Sequence, residues 1–180
     1  MSLTIRPSRD EDIPAIAAIY ADAVRHGTAS FELDPPSEPE MCRRRRALVE
    51  AGFPYLVTER ADEVIGYAYA GPYRTRPAYR STVEDSIYVA RRAHRAGAGT
   101  ALLASLIEAC ECLDFRSMVA VIGDRASTGS IELHRRAGFR LVGILEGVGY
   151  KHDRWLDTVL MERPLGRGTM VPPTRPIPCG

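Results

Sequence analysis

Lysine is almost missing from this 180-residue chain: Lys151 is the only one, and arginine carries nearly all the positive charge. Covalent chemistry through a lysine imine would have to rest on that single residue. Net charge is nearly absent too, at +1. That excludes a general electrostatic attraction to nucleic acid or membrane surfaces and leaves only local basic clusters. No apolar run approaches the ~20 residues of a membrane span, and the opening MSLTIRPSRDED lacks the charged-then-apolar profile of a leader. A cytoplasmic protein is expected. The four cysteines, at 42, 110, 112 and 179, show no C-x-x-C spacing. Cys110 and Cys112 point to different faces of a predicted helix, which argues against a disulfide or a shared metal. His26, His94, His134 and His152 are dispersed with no ligand spacing, and no metal is expected.

What is present fits one domain over residues 1–165, followed by a proline-rich tail over 166–180 with little to bury, expected to be extended or mobile. LTIR reads as a strand, and Ile13, Ile16, Tyr20 and Val24 mark one face of a helix with Pro14 in its first turn. SEPE reads as a capping box, Ser37 to Glu40, opening a helix that ends near Gly52. Its run Arg43 to Arg46 has no interleaved aromatics and reads as a solvated face. YLVTER, EVIGYAYAGPY and STVEDSIYV are strands, the first two joined as a hairpin through ADE. A helix follows with Leu102, Leu103, Leu106, Ile107 and Cys110 on one face; then come SMVAVIG as a strand, STGSIELHRRAGF as a helix closed by Gly138, and two last strands. The class is α+β, with a mostly antiparallel mixed sheet and one strand-helix-strand unit in its second half.

The segment RRAHRAGAGTALLASL, residues 91–106, enters that helix through Gly97 and Gly99. A mononucleotide P-loop would need lysine after its last glycine, and Thr100 stands there instead. A dinucleotide fingerprint would need a third glycine at position 102, which is leucine; only Asp124 imitates the ribose-binding acid. Two readings remain: amides from Arg95 through Ala96, Gly97, Ala98 and Gly99 to Thr100 binding an anion at a helix N-terminus, or glycines that merely permit a tight turn.

HRAGAG followed by TALL resembles motif A of the GNAT superfamily of N-acetyltransferases, (Q/R)-x-x-G-x-(G/A), with His94 in the first position. GYAYAGPYRTRPAYRSTVEDSIYV, VAVIGD, GSIELHRRAGF and GYKHDRWLDTVLMERPL resemble the phosphinothricin and methionine-sulfoximine acetyltransferases within it, so the likeness covers roughly residues 3–165. The resemblance implies a GNAT fold, acetyl-CoA as co-substrate, a small amino-acid substrate acetylated on its α-amine in a ternary complex, and a homodimer.

Carried to individual residues, the resemblance implies Glu84 as general base and the backbone of Ile87, Tyr88 and Val89 as the edge to which the pantetheine arm adds, with the Val89 N–H on the thioester carbonyl. Alternation in TVEDSIYV puts Thr82, Glu84, Ser86 and Tyr88 on one side and Asp85 among apolar residues on the other. That misfit predicts a bulge. His134 stands where many family members have a tyrosine that protonates the thiolate; it could do that, act as a second base, or be a surface histidine. Ser127 replaces a cofactor-contacting asparagine. Substrate contacts are implied for Phe31, Arg74, Thr75, Arg76 and Tyr79, together with Glu84, Asp85 and Ser86. The paired guanidinium groups suit bidentate oxygen recognition. Alternative functions are acetylation of a polyamine, an aminoglycoside or a protein N-terminus, or a non-catalytic acyl-CoA-binding regulator.

Overall fold

The structure is a computed structural model that describes residues 3–174. Its elements are β1 (Thr4–Pro7), α1 (Ile13–His26), α2 (Glu38–Glu50), β2 (Tyr55–Arg60), β3 (Glu63–Pro72), β4 (Thr82–Val89), α3 (Ala98–Cys112), β5 (Ser117–Gly123), α4 (Thr128–Arg136), β6 (Arg140–Lys151) and β7 (Arg154–Pro164). Every predicted strand and helix is there. Ala61 and Asp62 both take positive φ, 52° and 60°, as a two-residue hairpin turn requires.

The seven strands form one sheet in the order β1-β2-β3-β4-β5-β7-β6. All neighbours are antiparallel except β4 and β5, which α3 connects as a parallel pair. One face of the sheet packs Tyr55, Val57 and Tyr67 against Ile16, Tyr20 and Val24 of α1 and Met41 of α2. The other packs Leu56, Ala68, Ala70 and Val83 against the α3 face Leu102, Leu103, Leu106, Ile107 and Cys110. Period-two strands thus bury both faces under helices, which gives the sheet two cores.

The α2 start departs from a full capping box. Ser37 Oγ accepts from Glu40 N at 3.4 Å, but the Glu40 carboxylate turns to Arg43 and Arg44 instead of returning to the cap. The arginine run is mostly solvated, with Arg45 as the exception: it is buried and donates to Ser8 Oγ at 2.7 Å and to Asp10 at 2.7 Å, which fastens α2 to the segment after β1. After β7 the chain makes a single helical turn at Gly168–Met170, and the Thr174 N–H donates to Asp114 Oδ2 at 3.1 Å. Residues 175–180, with Cys179, lie outside the described residues. Among the described residues no helix is long and apolar enough to cross a membrane.

Two features of β4 position the site. Its register with β3 runs unbroken from Pro72↔Val83 to Gly66↔Val89, so the predicted bulge is absent. Asp85 keeps strict alternation and points among apolar neighbours because it has a partner there, His134. Against β5, by contrast, β4 pairs only from Thr82↔Ser117 to Asp85↔Ala120. From Ser86 to Val89 the two strands part, and the middle of the sheet presents an open backbone edge.

Candidate active site

Antiparallel pairing decides which backbone groups face that gap. Ala90 N–H donates to Ile65 O at 2.8 Å; by alternation the peptide groups of Tyr88 and Ser86 also point toward β3, while those of Ile87 and Val89 point into the gap. The Val89 carbonyl is already taken, because His94 Nε2 lies 3.0 Å from it and donates. His94, the residue at the first position of the glycine motif, therefore closes the turn back onto β4 and leaves the Val89 N–H facing the gap.

The gap opens into a cavity of about 1330 Å³. Of the cofactor residues expected from sequence, Ile87, Tyr88, Val89, Arg95, Gly97, Ala98, Gly99, Thr100 and Ser127 line it; Ala96 does not. Arg95 and Gly97 take positive φ, 60° and 82°, and Gly97 is the N-cap of α3. The amides of Ala98, Gly99 and Thr100 belong to the first helical turn, which has no intrahelical acceptors, and the helix dipole adds positive potential there. Gly97 is needed for its left-handed φ. A Cβ on Gly99 would meet Leu133 and Val89 only at ordinary contact distance, 3.5 and 3.9 Å. Packing does not demand glycine at 99; its bareness keeps the floor of the cavity accessible to a ligand. These features fit a pyrophosphate-bearing cofactor.

Ser127 Oγ donates to Gly123 O at 2.7 Å and so closes the turn from β5 into α4, with its free lone pairs beside the cavity. Asp124 has a structural role, accepting from Ala126 N at 3.0 Å and pairing with Arg154 at 2.6 Å. Sequence reasoning missed several lining residues, notably Thr28, Arg91 and Arg136. Arg91 pairs with Asp22 of α1 at 2.8 Å and Arg136 with Glu132 at 2.6 Å. Their position beside the anion-favouring turn is the signal, and it exists only in three dimensions.

Glu84 lies on the α1–α2 face of β4, with Ser86 two residues on and hydrogen-bonded to Tyr69. Burial raises the Glu84 pKa above the ordinary glutamate value; the positive charge of Arg74 pulls it back and the negative charge of Asp85 adds to the rise. Arg74 itself stacks over the Tyr73 ring, 4.3 Å from the centroid, and Tyr73 meets Tyr79 edge to face at 5.8 Å. Thr75, Arg76 and Tyr79 are exposed on the same loop. Phe31, 38% exposed, comes in from the α1–α2 loop.

The other face of β4 holds a different arrangement. Asp85 is 7% exposed and His134 3%. His134 Nε2 lies 2.9 Å from Asp85 Oδ2, and Nδ1 lies 2.7 Å from the Ser130 carbonyl oxygen. Both ring nitrogens face acceptors, an arrangement that the doubly protonated imidazolium satisfies. Burial pushes the His134 pKa down, but the hydrogen bond and the charge of Asp85 outweigh it and the net direction is up. Asp85 is therefore turned away from the Glu84 side of β4, as alternation predicted and against the substrate contact that the resemblance implied. His134 is not on the helix surface either; it is enclosed behind the cavity wall formed by its neighbours Ser130 and Leu133.

Known proteins are similar to this chain in sequence and fold. Residues 5–160 match the family described as an acetyltransferase (GNAT) domain. The chain is 52% identical over 165 residues to a phosphinothricin N-acetyltransferase of Alcaligenes faecalis, covering 92% of this chain and 84% of that one. It is 39% identical over 163 residues to an L-methionine sulfoximine/L-methionine sulfone acetyltransferase of Pseudomonas aeruginosa, covering 90% and 94%. The crystal structure of a phosphinothricin acetyltransferase from Sinorhizobium meliloti in complex with AcCoA superposes with a TM-score of 0.94 at 46% identity, over 98% of this chain and 96% of that one. The open β4 edge, the amide-lined turn and the sequence agree, and the chain belongs to the GNAT acetyltransferases, within their phosphinothricin and methionine sulfoximine group.

Proposed function

We propose that this protein transfers the acetyl group of acetyl-CoA to the α-amine of a small amino acid with an oxygen-rich side-chain end, such as phosphinothricin, methionine sulfoximine or methionine sulfone. The observation that carries the reading is the half-open β4, with its free Val89 N–H, running directly into the amide-lined start of α3 and with a raised-pKa carboxylate one face away. The turn from Arg95 to Thr100 would hold the pyrophosphate, and Ile87 and Val89 would pair with the pantetheine arm as an added strand does. The cofactor supplies an activated acyl group as a thioester.

A free α-amine is largely protonated near neutral pH, so its proton must leave before it can attack. Glu84 accepts that proton, directly or through a water. The nitrogen lone pair then forms the C–N bond, the C–S bond breaks with its electron pair on sulfur, and the surplus proton of the acylated nitrogen passes to the thiolate, which leaves a neutral amide and the free thiol. The Val89 N–H donates to the carbonyl oxygen as charge builds there. His134 has both nitrogens engaged in its enclosed position, and we assign it to holding α4 against β4 instead of to the proton transfers. Arg74 and Arg76 would bind the anionic oxygens of the substrate, between Tyr79 and Phe31. A cationic polyamine or aminoglycoside would be repelled by this loop.

The reading is tested by following thiol release from acetyl-CoA with a panel of amino acids, polyamines and peptides. Release with methionine sulfone or phosphinothricin is the expected outcome; binding of acetyl-CoA with no release for any amine would favour a non-catalytic acyl-CoA sensor. We also propose a homodimer. Edge strand β6 exposes Leu141, Val142, Ile144, Leu145 and Val148, and the adjoining Tyr150 and Trp155 are exposed as well. An open strand edge of that composition invites a second copy. The free thiols Cys42 and Cys112 suit the reducing cytoplasm, where we place the protein.

A further inference from the structure

Lys151, the one lysine of the chain, is 4% exposed, and its Nζ donates to the Ser30 carbonyl at 2.7 Å. The same serine is held from the other side, where the Tyr20 hydroxyl and Ser30 Oγ share a hydrogen bond of 2.8 Å. Tyr20 is on α1 and Lys151 ends β6, so one loop residue is gripped between the first helix and the last hairpin. Thr28 and Gly27 extend the grip: Thr28 Oγ1 donates to Gly123 O at 3.4 Å, and His152 Nε2 reaches Gly27 O at 3.2 Å.

Beside this grip the Phe31 ring covers two glycines. A Cβ on Gly149 would fall 2.4 Å from the ring; one on Gly123 would fall 2.9 Å from the ring and 2.0 Å from the Thr28 carbonyl oxygen. Neither glycine has a left-handed φ, so backbone freedom does not account for them. The seat of the ring does. Apart from the Tyr20–Ser30 bond these contacts come from elements far apart in sequence, and all converge on the loop that carries Phe31.

We propose that Lys151 is a positioning residue and Gly149 a specificity-determining position: together they seat Phe31 as a wall of the amino-acid pocket. The inference rests on the reading that Phe31 lines that pocket. Lys151→Met keeps most of the stem and loses the donor, freeing the Ser30 backbone. Gly149→Ala leaves the backbone alone and evicts only the ring.

Kinetics with methionine sulfone at saturating acetyl-CoA, combined with amide exchange at residues 28–32, test the proposal in Phe31→Ala, Gly149→Ala, Lys151→Met and the Phe31→Ala/Gly149→Ala double variant. Each single variant is expected to raise the amino-acid KM roughly 10- to 100-fold, as an ångström-scale misplacement does, with the acetyl-CoA KM unchanged. The double variant should be no worse than Phe31→Ala alone, and Lys151→Met should speed exchange at 28–32. If Phe31→Ala leaves the amino-acid KM unchanged, the pocket reading falls and the proposal with it. If Phe31→Ala raises KM while Gly149→Ala and Lys151→Met keep both KM and exchange at wild-type levels, the pocket reading stands and the seating proposal is overturned.

Discussion

Replacing Glu84 by glutamine removes the proposed proton acceptor and little else. The side chain keeps its shape, the β3–β4 register runs through the backbone at Gly71↔Glu84, and the Ser86–Tyr69 hydrogen bond is untouched. A positioned general base is worth about 10²–10⁴ in rate, so kcat should fall by about that factor, or ~3–5 kcal/mol of barrier. The proposed acetyl-CoA contacts lie on the gap side of β4 and in the turn before α3, so the acetyl-CoA KM should stay within about twofold, well below the tenfold that 1.4 kcal/mol represents.

The pH profile makes the assignment sharper. The proposed mechanism needs Glu84 as the carboxylate, and its pKa in the folded protein is raised by burial, opposed by Arg74 and reinforced by Asp85. Activity should therefore fall as pH drops through a midpoint above the ordinary glutamate value, and that acid limb should vanish in Glu84→Gln. Arg74→Met removes the opposing charge and should move the limb to higher pH. The assay is kcat from thiol release, measured across the pH range in which all three proteins stay folded. Equal losses in kcat and acetyl-CoA affinity, or an acid limb that survives in Glu84→Gln, would refute the general-base argument.

Arg76→Ala should raise the amino-acid KM by about 10- to 100-fold, the size of a charge-assisted hydrogen bond worth about 1.5–3 kcal/mol, with the acetyl-CoA KM unchanged; steady-state kinetics in both substrates check this, and an unchanged amino-acid KM removes Arg76 from the pocket. For the buried pair, a His134 pKa raised on folding means the folded state holds its proton more tightly than the unfolded chain. The contribution is full below the ordinary histidine value of ~6.5 and is lost as pH rises through the higher folded value. Denaturant titrations should show wild-type stability falling in that window. Asp85→Asn should flatten the slope and cost about 3–5 kcal/mol at low pH, the loss typical of breaking a buried ion pair; a change within about 0.5 kcal/mol, as at an ordinary surface site, would show that the pair is not ionised. Sedimentation should find a dimer that Val142→Arg with Val148→Arg converts to monomer, and a wild-type monomer at micromolar concentration would leave the β6 edge without a second copy.

Much of the fold was legible because its signals are local. Leu102, Leu103, Leu106, Ile107 and Cys110 recur at helical spacing and all end in the core, and the two-residue alternation of TVEDSIYV is kept through the whole of β4. The glycine motif was legible because backbone conformation at Gly97 is a property of one residue. What sequence could not supply was partners at long separation. Asp85 was correctly placed on the apolar side, but its reason lies 49 residues away in His134, and without that partner a bulge was the nearest local explanation. Lys151 and Ser30 are 121 residues apart, so no spacing rule connects them.

Composition nevertheless carried a trace of that last contact. Arginine supplies the cations almost everywhere in this chain, and one position departs from the bias. Guanidinium is a planar fork with five donors that cannot shed its proton, and burying it demands several acceptors. Arg45 meets that demand with Ser8 and Asp10. At Ser30 the Lys151 amine meets one carbonyl as its hydrogen-bond partner among the described residues. An amine serves there because it can lose its charge and still donate, and burial does push the Lys151 pKa down, with the charge of Glu32 only partly opposing. The isolated lysine therefore marks a buried position with room for one donor. Lys151→Arg should on that argument fail to restore what Lys151→Met loses, because the larger cation cannot enter the seat without displacing the loop it is meant to hold.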